Sequence, residues 1–351
     1  MDADSDRILQ SNNANARRAI ASTTKIMTAL VALESLSLDT RVTASAKTAA
    51  TGESQIYLAK GEVLTAEQLL YALLVKSAND AAVALAEASA GSVAAFAEKM
   101  NRKATALGLQ NTHFVNPHGL DVQGHYSSAR DLAILAAHAM HNPEFRKLVA
   151  TKTYTIPWPG HDAPRSFTNR NLLLQELDWV TGIKTGYTGK AGYCLVASGT
   201  KKGASLISVV LGESTQELCW SDSRRLLEYG FGLYHQPTLL SKGVTVTDLP
   251  VPYQLTRRLR LVADDTFSPT LFHDDIVTHT MEIDRRVVLP VSAGEIFGAM
   301  HFWIDGKPLG SVDVVAADSF ETPTLKEILA YWRSLGPPLR LVTLYNLSAG
   351  E

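Results

Sequence analysis

Cysteine is nearly absent: Cys194 and Cys219 are the only two in 351 residues. Two cannot make the disulfide framework on which small secreted domains rely, and both read as small buried hydrophobes. No sign of charge dominates. Thirty-three Lys and Arg stand against 35 Asp and Glu, a formal net charge of -2, so no basic field attracts nucleic acid and no such partner is expected. No apolar run approaches the roughly 20 residues that span a bilayer. There is no internal repeat and no low-complexity tract. No secretory signal precedes the first motif, and Met1 falls inside what reads as an opening strand, as in a trimmed or mis-started chain. His138 and His141 share a helix face, but an H-x-x-H pair without a third ligand reads as solvated, and neither metal nor cofactor is expected. The G-x-G at residues 230–232 lies at a helix end rather than after a strand, so it does not read as a nucleotide loop.

What is present is an ordinary globular composition, 46% hydrophobic and 19% charged. Ser22, Thr23 and Thr24 offer N-cap chemistry before an apolar-periodic run of Ile26, Met27, Leu30, Val31 and Leu33. A second helix is expected over 65–74, interrupted at 75–80. An alanine-rich helical stretch follows from 81 to about 107. Another helix opens near Ser127 and Ser128, and Asn142-Pro143 breaks it. Residues 180–213 read as two or three strands joined by glycine turns, with a helix from about 223 to 233. The first 235 residues are therefore helices flanking a sheet, an α/β arrangement without regular βαβ alternation. Beyond Pro237, strands are expected at 244–251, 259–263, 276–283 and 297–304, with a hairpin at Asp305-Gly306. That makes residues 240–320 a separate small all-β domain. Residues 324–335 are helical again, with Leu325, Ile328, Leu329, Trp332 and Leu335 on one face, until Pro337-Pro338 stops the helix.

Three short motifs occur in order: Ser22-Thr23-Thr24-Lys25, Ser77-Ala78-Asn79 and Lys184-Thr185-Gly186. Each alone is weak, because Ser198-Gly199-Thr200-Lys201 repeats the first pattern and Ser11-Asn12-Asn13 the second. Local context separates the copies. A serine and a lysine three apart meet only on a helix, and Ser22 and Lys25 begin one while Ser198 and Lys201 fall in a strand. A serine hydroxyl is a weak nucleophile without a base in reach. Lys25 serves if burial and a neighbouring cation lower its pKa. Lys184 is the candidate cation, and Ser77 the candidate proton relay. The helix start adds positive potential and free N–H groups near Ser22. Gly186 lets a sheet edge approach the substrate, and an extended peptide can pair with that edge.

S-x-x-K, S-x-N and K-T-G in this order are the signature of penicillin-binding proteins and of certain β-lactamases. Over essentially residues 1–235 the chain resembles the serine-type D-alanyl-D-alanine carboxypeptidases among the low-molecular-mass penicillin-binding proteins. The stretches ARRAIASTTKIMTAL, LLVKSANDAAVALAE, NPHGLD, YSSARDLA, the Asn-Arg-Asn at Asn169, Arg170 and Asn171, and GIKTGYTGKAGYCLVAS carry the likeness. It implies a transpeptidase/β-lactamase-like fold, with helices around a mostly antiparallel sheet, followed by a small all-β domain. The corresponding domains are 1–238, 239–320 and a C-terminal helix and tail at 321–351. It further implies that Ser22 is acylated with Lys25 as general base. Ser77 and Asn79 then shuttle protons and hold the substrate amide, while Lys184 and Thr185 bind its carboxylate. The N–H groups of Ser22 and Tyr187 form an oxyanion hole beside Gly186, and Arg170 joins the basic patch. The implied partners are peptidoglycan stem peptides ending in D-Ala-D-Ala and β-lactam antibiotics. The implied location is the periplasm or the outer face of the bacterial cytoplasmic membrane. The 324–335 helix offers at most a peripheral membrane contact. There is one departure. Where the family usually places an arginine near the start of the helix after the sheet, Cys219 stands here, leaving Arg170, Arg224 or Arg225 to compensate.

Three other functions remain on the same motifs. A serine β-lactamase of the fast kind needs an E-x-x-L-N segment between Asn79 and Lys184, and none is present. A DD-endopeptidase would use the same residues on a cross-linked peptide. A non-catalytic penicillin sensor would be expected to have lost Ser22, Lys25 or Lys184, and all three are present. Penicillin is expected to acylate Ser22 alone. Peptide mapping of the adduct checks this, and label on Ser198 would overturn the motif assignment.

Overall fold

The computed structural model describes residues 1–335; the expected helix stop at Pro337-Pro338 lies outside them. The chain divides into two compact units, Met1–Tyr234 and a second beginning at His235.

In the first unit, α1 (Lys25–Ser35) is buried on every side from Lys25 to Ala32. It is a central helix rather than an amphipathic surface one, as the Ile26-Met27…Leu30-Val31 run allows. A small hairpin pairs β1 (Arg41–Thr43) with β2 (Val63–Thr65), and α2 (Ala46–Ala49) lies between them in sequence. Thr65 and Gln68 form a capping box that starts α3 (Ala66–Tyr71). The helix then widens into a five-residue π turn, Ala72–Lys76, and stops at Ser77. The helical stretch expected from 81 to 107 is two helices, α4 (Asn79–Ala90) and α5 (Val93–Ala106), bent 82° from each other. The alanine periodicity hid the break. Gly91 adopts φ +77 and closes α4, and the Ser92 hydroxyl caps α5. The Ser128 hydroxyl caps α6 (Ala129–Met140), and Asn142 caps α7 (Pro143–Val149), which has its proline at the first helical position. The hairpin of β3 (Thr153–Ile156) with β4 (Arg165–Thr168), and the short α8 (Leu172–Glu176), were not foreseen from sequence.

The sheet is antiparallel: β5 (Val180–Thr188), β6 (Gly192–Lys201) and β7 (Ala204–Glu213) in that order. The opening residues pair along β7, with Met1 and Ile207 exchanging two 2.8 Å backbone bonds. Alternate residues of the sheet face opposite layers. Val196, Ile183 and Ile207 join the core around α1, whereas Leu195, Ala197 and Leu206 pack beneath α9 (Gln216–Gly232) with Leu227 and Phe231. Burial on both faces explains the near-continuous apolar reading of this segment. α9 begins earlier than expected because Thr215 caps it.

The second unit holds a five-stranded antiparallel sheet. Its strands are β8 (Thr245–Pro250), β9 (Arg258–Ala263), β10 (Val277–Ile283), β11 (Ile296–Ile304) and β12 (Lys307–Ala316), in the order β10–β11–β12–β9–β8. Asp305 and Gly306 have φ of 50° and 74°, both positive as a type I′ turn requires, and Ile304 pairs with Lys307. The amphipathic α10 (Leu325–Ser334) follows, opened by a Thr324–Glu327 capping box. Among the described residues no single helix is long and apolar enough to cross a membrane.

The β3–β4 hairpin is tied to the loop before β2 by an ion pair between Arg165 and Glu62, whose side chains are 4% and 7% exposed. Both guanidinium Nη atoms donate to the carboxylate. Removing one partner strands a buried charge, a loss of about 3–5 kcal/mol. Arg165→Met and Glu62→Gln should each lower the calorimetric Tm of the first unit by roughly 10 °C. The double variant should recover much of that. Single variants with an unchanged Tm would show that the pair contributes nothing.

Candidate active site

The site grows from one backbone turn. Residues Ala21–Thr24 form a 3₁₀ turn that runs into α1 at Lys25. No side chain caps this start, contrary to the sequence expectation. The hydroxyls of Thr23 and Thr24 instead bond backwards, to the carbonyls of Ile20 (2.7 Å) and Ala21 (2.9 Å). Ser22 and Lys25, three residues apart, face each other with Nζ 2.8 Å from Oγ.

Lys25 is 0% exposed. Its Nζ also lies 2.7 Å from Asn79 Oδ1 and 2.9 Å from the His118 carbonyl. The chemistry of these partners decides the protonation state the site favours. Two are carbonyl oxygens, which only accept, and the third is a hydroxyl, which can donate. A neutral amine has two N–H groups and one lone pair. It satisfies both carbonyls and leaves the lone pair facing the Ser22 O–H. Burial first, then the positive charges of Lys184 and Arg170, push the Lys25 pKa well below the ordinary lysine range, against an opposing contribution from Asp80. Geometry and electrostatics both favour a neutral Lys25 amine beside the Ser22 hydroxyl.

The second motif sits at the junction of α3 and α4. Ser77 closes the π turn in the left-handed region, φ +67, an uncommon conformation for a residue with a Cβ. Its reversal of the chain brings Asn79, the first residue of α4, beside Lys25. The Asn79 amide donates to the Gly52 carbonyl at 3.1 Å, and its backbone N–H to the Ser54 carbonyl at 2.7 Å. Ser77 lines the cleft, but among the described residues it makes no hydrogen bond to Lys25 or Lys184. The three contacts of the Lys25 amine are with Ser22, Asn79 and the His118 carbonyl. Asp80, not singled out from sequence, is buried and accepts the backbone N–H groups of Ile56, Leu58 and Ala81. It fastens the 54–58 segment over the start of α4.

The third motif lies on β5. Lys184 is buried, with Nζ bonded to the Thr185 carbonyl at 2.8 Å. Burial, reinforced by the Arg170 charge, brings its pKa down to about 7. Gly186 abuts the Ala21–Thr24 turn: a Cβ there would stand 2.9 Å from the Ser22 backbone N and 3.0 Å from Ala21 Cβ. Tyr187 is exposed. Ser22, Ser77, Asn79, Arg170, Thr185, Gly186 and Tyr187 line one cleft of about 420 Å³. Lys25 and Lys184 are bonded directly behind that lining.

The duplicate motifs stay out of it. Ser198 is buried in β6 and bonded to Thr181, and Ser11 borders a different cavity, with Met1 and Leu9. Cys219 does line the same cleft as Ser22, beside Gln216 and Trp220. Of the three arginines proposed to compensate, only Arg170 reaches it. Arg224 bonds Glu228, and Arg225 lies near Asp222 on another cavity. One carboxylate, Glu53, also lines the cleft; it precedes Asn79 in the chain and so lies outside the interval from Asn79 to Lys184. Among the described residues, no cluster of His, Cys, Asp or Glu could hold a metal ion.

A family model described as D-alanyl-D-alanine carboxypeptidase matches residues 1–215, and one described as penicillin-binding protein 5, C-terminal domain, matches residues 234–322. The chain is 34% identical over 329 residues to the D-alanyl-D-alanine carboxypeptidase DacF of Bacillus subtilis (strain 168), an alignment covering 92% of this chain and 84% of that one. It is 32% identical over 324 residues to DacA of Escherichia coli (strain K12), covering 88% and 79%. Among solved structures, penicillin binding protein 5 from Haemophilus influenzae superposes with a TM-score of 0.64 at 32% identity, covering 92% of this chain and 96% of the other.

The two lysines set the expected pH profile. Lys25 is a base only when neutral, so kcat/KM for a D-Ala-D-Ala peptide should rise with pH through its depressed pKa. Lys184 attracts a carboxylate only when charged, so the rate should fall as pH passes about 7. Lys184→Arg keeps a cation at every accessible pH and should remove the descending limb. A limb unchanged in that variant would assign it to another group.

Proposed function

The chain belongs to the D-alanyl-D-alanine carboxypeptidase family and is a serine peptidase of it, and we propose that Ser22 is the residue its substrate acylates. The observation that carries this reading is the Lys25 amine, buried and faced by two carbonyls and the Ser22 hydroxyl. The substrate is a peptidoglycan stem peptide ending in D-Ala-D-Ala, and β-lactams bind the same enzyme.

In the proposed cycle the peptide extends along β5, with its terminal carboxylate held by Lys184 and Thr185 and drawn by Arg170. The penultimate carbonyl then meets Ser22. Lys25 takes the Ser22 proton as Oγ bonds to the carbonyl carbon. The N–H groups of Ser22 and Tyr187 stabilise the tetrahedral oxyanion. Collapse breaks the C–N bond. The departing D-alanine amine receives the proton from the Lys25 ammonium, through the Ser77 hydroxyl once substrate has brought it into line. Water then attacks the ester with Lys25 again as base, returning Ser22 and the shortened peptide. Asn79 keeps Lys25 in register and has an amide proton left for the substrate.

Because cell-wall precursors are polymerised outside the cytoplasmic membrane, the enzyme is read as exported. The α10 helix supports a peripheral contact with that membrane. Leu325, Leu329, Trp332 and Leu335 are 72%, 50%, 59% and 53% exposed, and ten residues at about 1.5 Å each are too short to span.

Penicillin should form a long-lived ester on Ser22 while D-Ala-D-Ala peptides turn over. After acylation, D-alanine diffuses away and leaves room for water. The penicillin amine stays tethered through its ring and obstructs that position. Stopped-flow acylation, followed by release of penicilloate and of D-alanine, tests the contrast. Rapid penicillin hydrolysis without D-alanine release would identify a β-lactamase instead, and its loss in Glu53→Gln would put the deacylating base on that carboxylate.

A further inference from the structure

We propose that His125 is a positioning residue: acting through the Thr24 hydroxyl, it holds the peptide unit between Ala21 and Ser22 and thereby aims the Ser22 N–H at the forming oxyanion. The inference rests on Ser22 being the acylated residue. Nothing in the three motifs points to His125; it lies in the loop before α6.

The direction of each hydrogen bond follows from the backbone. The Val115 N–H can only donate, and it lies 3.0 Å from His125 Nδ1, so Nδ1 carries the lone pair. A neutral imidazole then has its proton on Nε2. That nitrogen lies 2.8 Å from Thr24 Oγ1, which therefore accepts from the ring. The threonine proton is left to point at the Ala21 carbonyl, 2.9 Å away. The chain Val115 N–H, His125, Thr24, Ala21 C=O thus has one consistent polarity. Both side chains are buried, Thr24 completely. Burial and the neighbouring His113 hold the His125 pKa down to about 4, so the ring is neutral in the working range.

The Ala21 carbonyl and the Ser22 N–H belong to one planar peptide group, in which they point in opposite directions. Fixing the oxygen fixes the N–H. The peptide needs such a restraint, because Ala21 has φ +46, in the left-handed region where a Cβ is strained. The opposite sides of this peptide group are shaped by two glycines. A Cβ on Gly119 would come within 1.9 Å of the Ala21 oxygen, and one on Gly186 within 2.9 Å of the Ser22 nitrogen. The glycines leave the peptide room; the hydrogen-bond chain gives it an orientation. An oxyanion donor acts in the transition state, so its misalignment slows acylation without weakening substrate binding.

The test compares full-length variants. Thr24→Val and His125→Leu should reduce the second-order rate of penicillin acylation on the order of 10- to 100-fold. Affinity for a peptide boronic acid, which forms a tetrahedral adduct, should fall in parallel, and KM for the D-Ala-D-Ala peptide should stay within about twofold. Thr24→Ser keeps the hydroxyl, and His125→Gln keeps an acceptor and a donor in sequence, so both should recover most of the rate. The double variant should be no slower than the slower single one, since the residues act in one chain. If His125→Leu does not fold, the Thr24→Val and Thr24→Ser pair decides. The inference is overturned if folded Thr24→Val acylates at the wild-type rate, if Thr24→Ser is as slow as Thr24→Val, or if KM rises as much as kcat falls. A wild-type adduct mapped away from Ser22 would instead sink the proposed nucleophile.

Discussion

A lysine amine with no exposure to water is costly unless every one of its contacts is matched. Lys25 meets that condition through three elements at once: the Ser22 hydroxyl from its own turn, Asn79 from the start of α4, and the His118 carbonyl from the loop before α6. Losing any one contact would leave the amine unsatisfied or let it protonate. The break between α3 and α4, the asparagine that follows it and the path of the 116–119 loop are all tied to this requirement. The positive charges beside it, Lys184 and Arg170, lower its proton affinity further. The burial that lowers the proton affinity of Lys25 is thus also a constraint on the packing around it.

Close backbone approach is the second constraint. β5 passes so near the Ala21–Thr24 turn that Gly186 leaves no space for a side chain, and Gly119 does the same from the other side. The turn between them carries a strained Ala21 and opens directly into a helix buried on all faces. A rigid core behind a strained turn is a usual way to hold reacting groups in place. The buried Arg165–Glu62 pair and the three N–H groups gathered by Asp80 anchor the segment that forms the opposite lip of the cleft.

The α9 wall of the cleft carries no cation. Gln216, Cys219 and Trp220 face it there without a positive charge, and the helix's own arginines are engaged elsewhere. Positive potential for a carboxylate comes from the β5 side, from Lys184, and from Arg170 in the loop after β4. Of these two cations, Lys184 has a proton affinity lowered to about 7 by burial and by Arg170, whereas the guanidinium stays charged.

Read alone, the sequence determined a good deal. Three ordered motifs, separated from their duplicates by helix or strand context, singled out Ser22, Lys25, Ser77, Asn79 and Lys184. Apolar periodicity and turn chemistry located α1, the β5–β7 sheet and the Asp305-Gly306 hairpin, because these signals are local: a 3.6-residue period, a glycine pair, a residue that tolerates positive φ. Local signals misjudged the 81–107 stretch, where Gly91 outweighed a helix-favouring composition, and gave no warning of the β3–β4 hairpin. They could not reveal the groups that act only through contact. His118 contributes a main-chain oxygen, which no side-chain pattern encodes. His125, Asp80 and Glu53 are each brought to the surroundings of Ser22 and Lys25 by folding across tens of residues. Which of Arg170, Arg224 and Arg225 reaches the cleft was likewise decided by helix rotation and strand placement. The sequence specified which chemical groups exist and which few are neighbours along the chain. The direction of their hydrogen bonds, their burial and hence their proton affinities arose only when distant segments excluded water together.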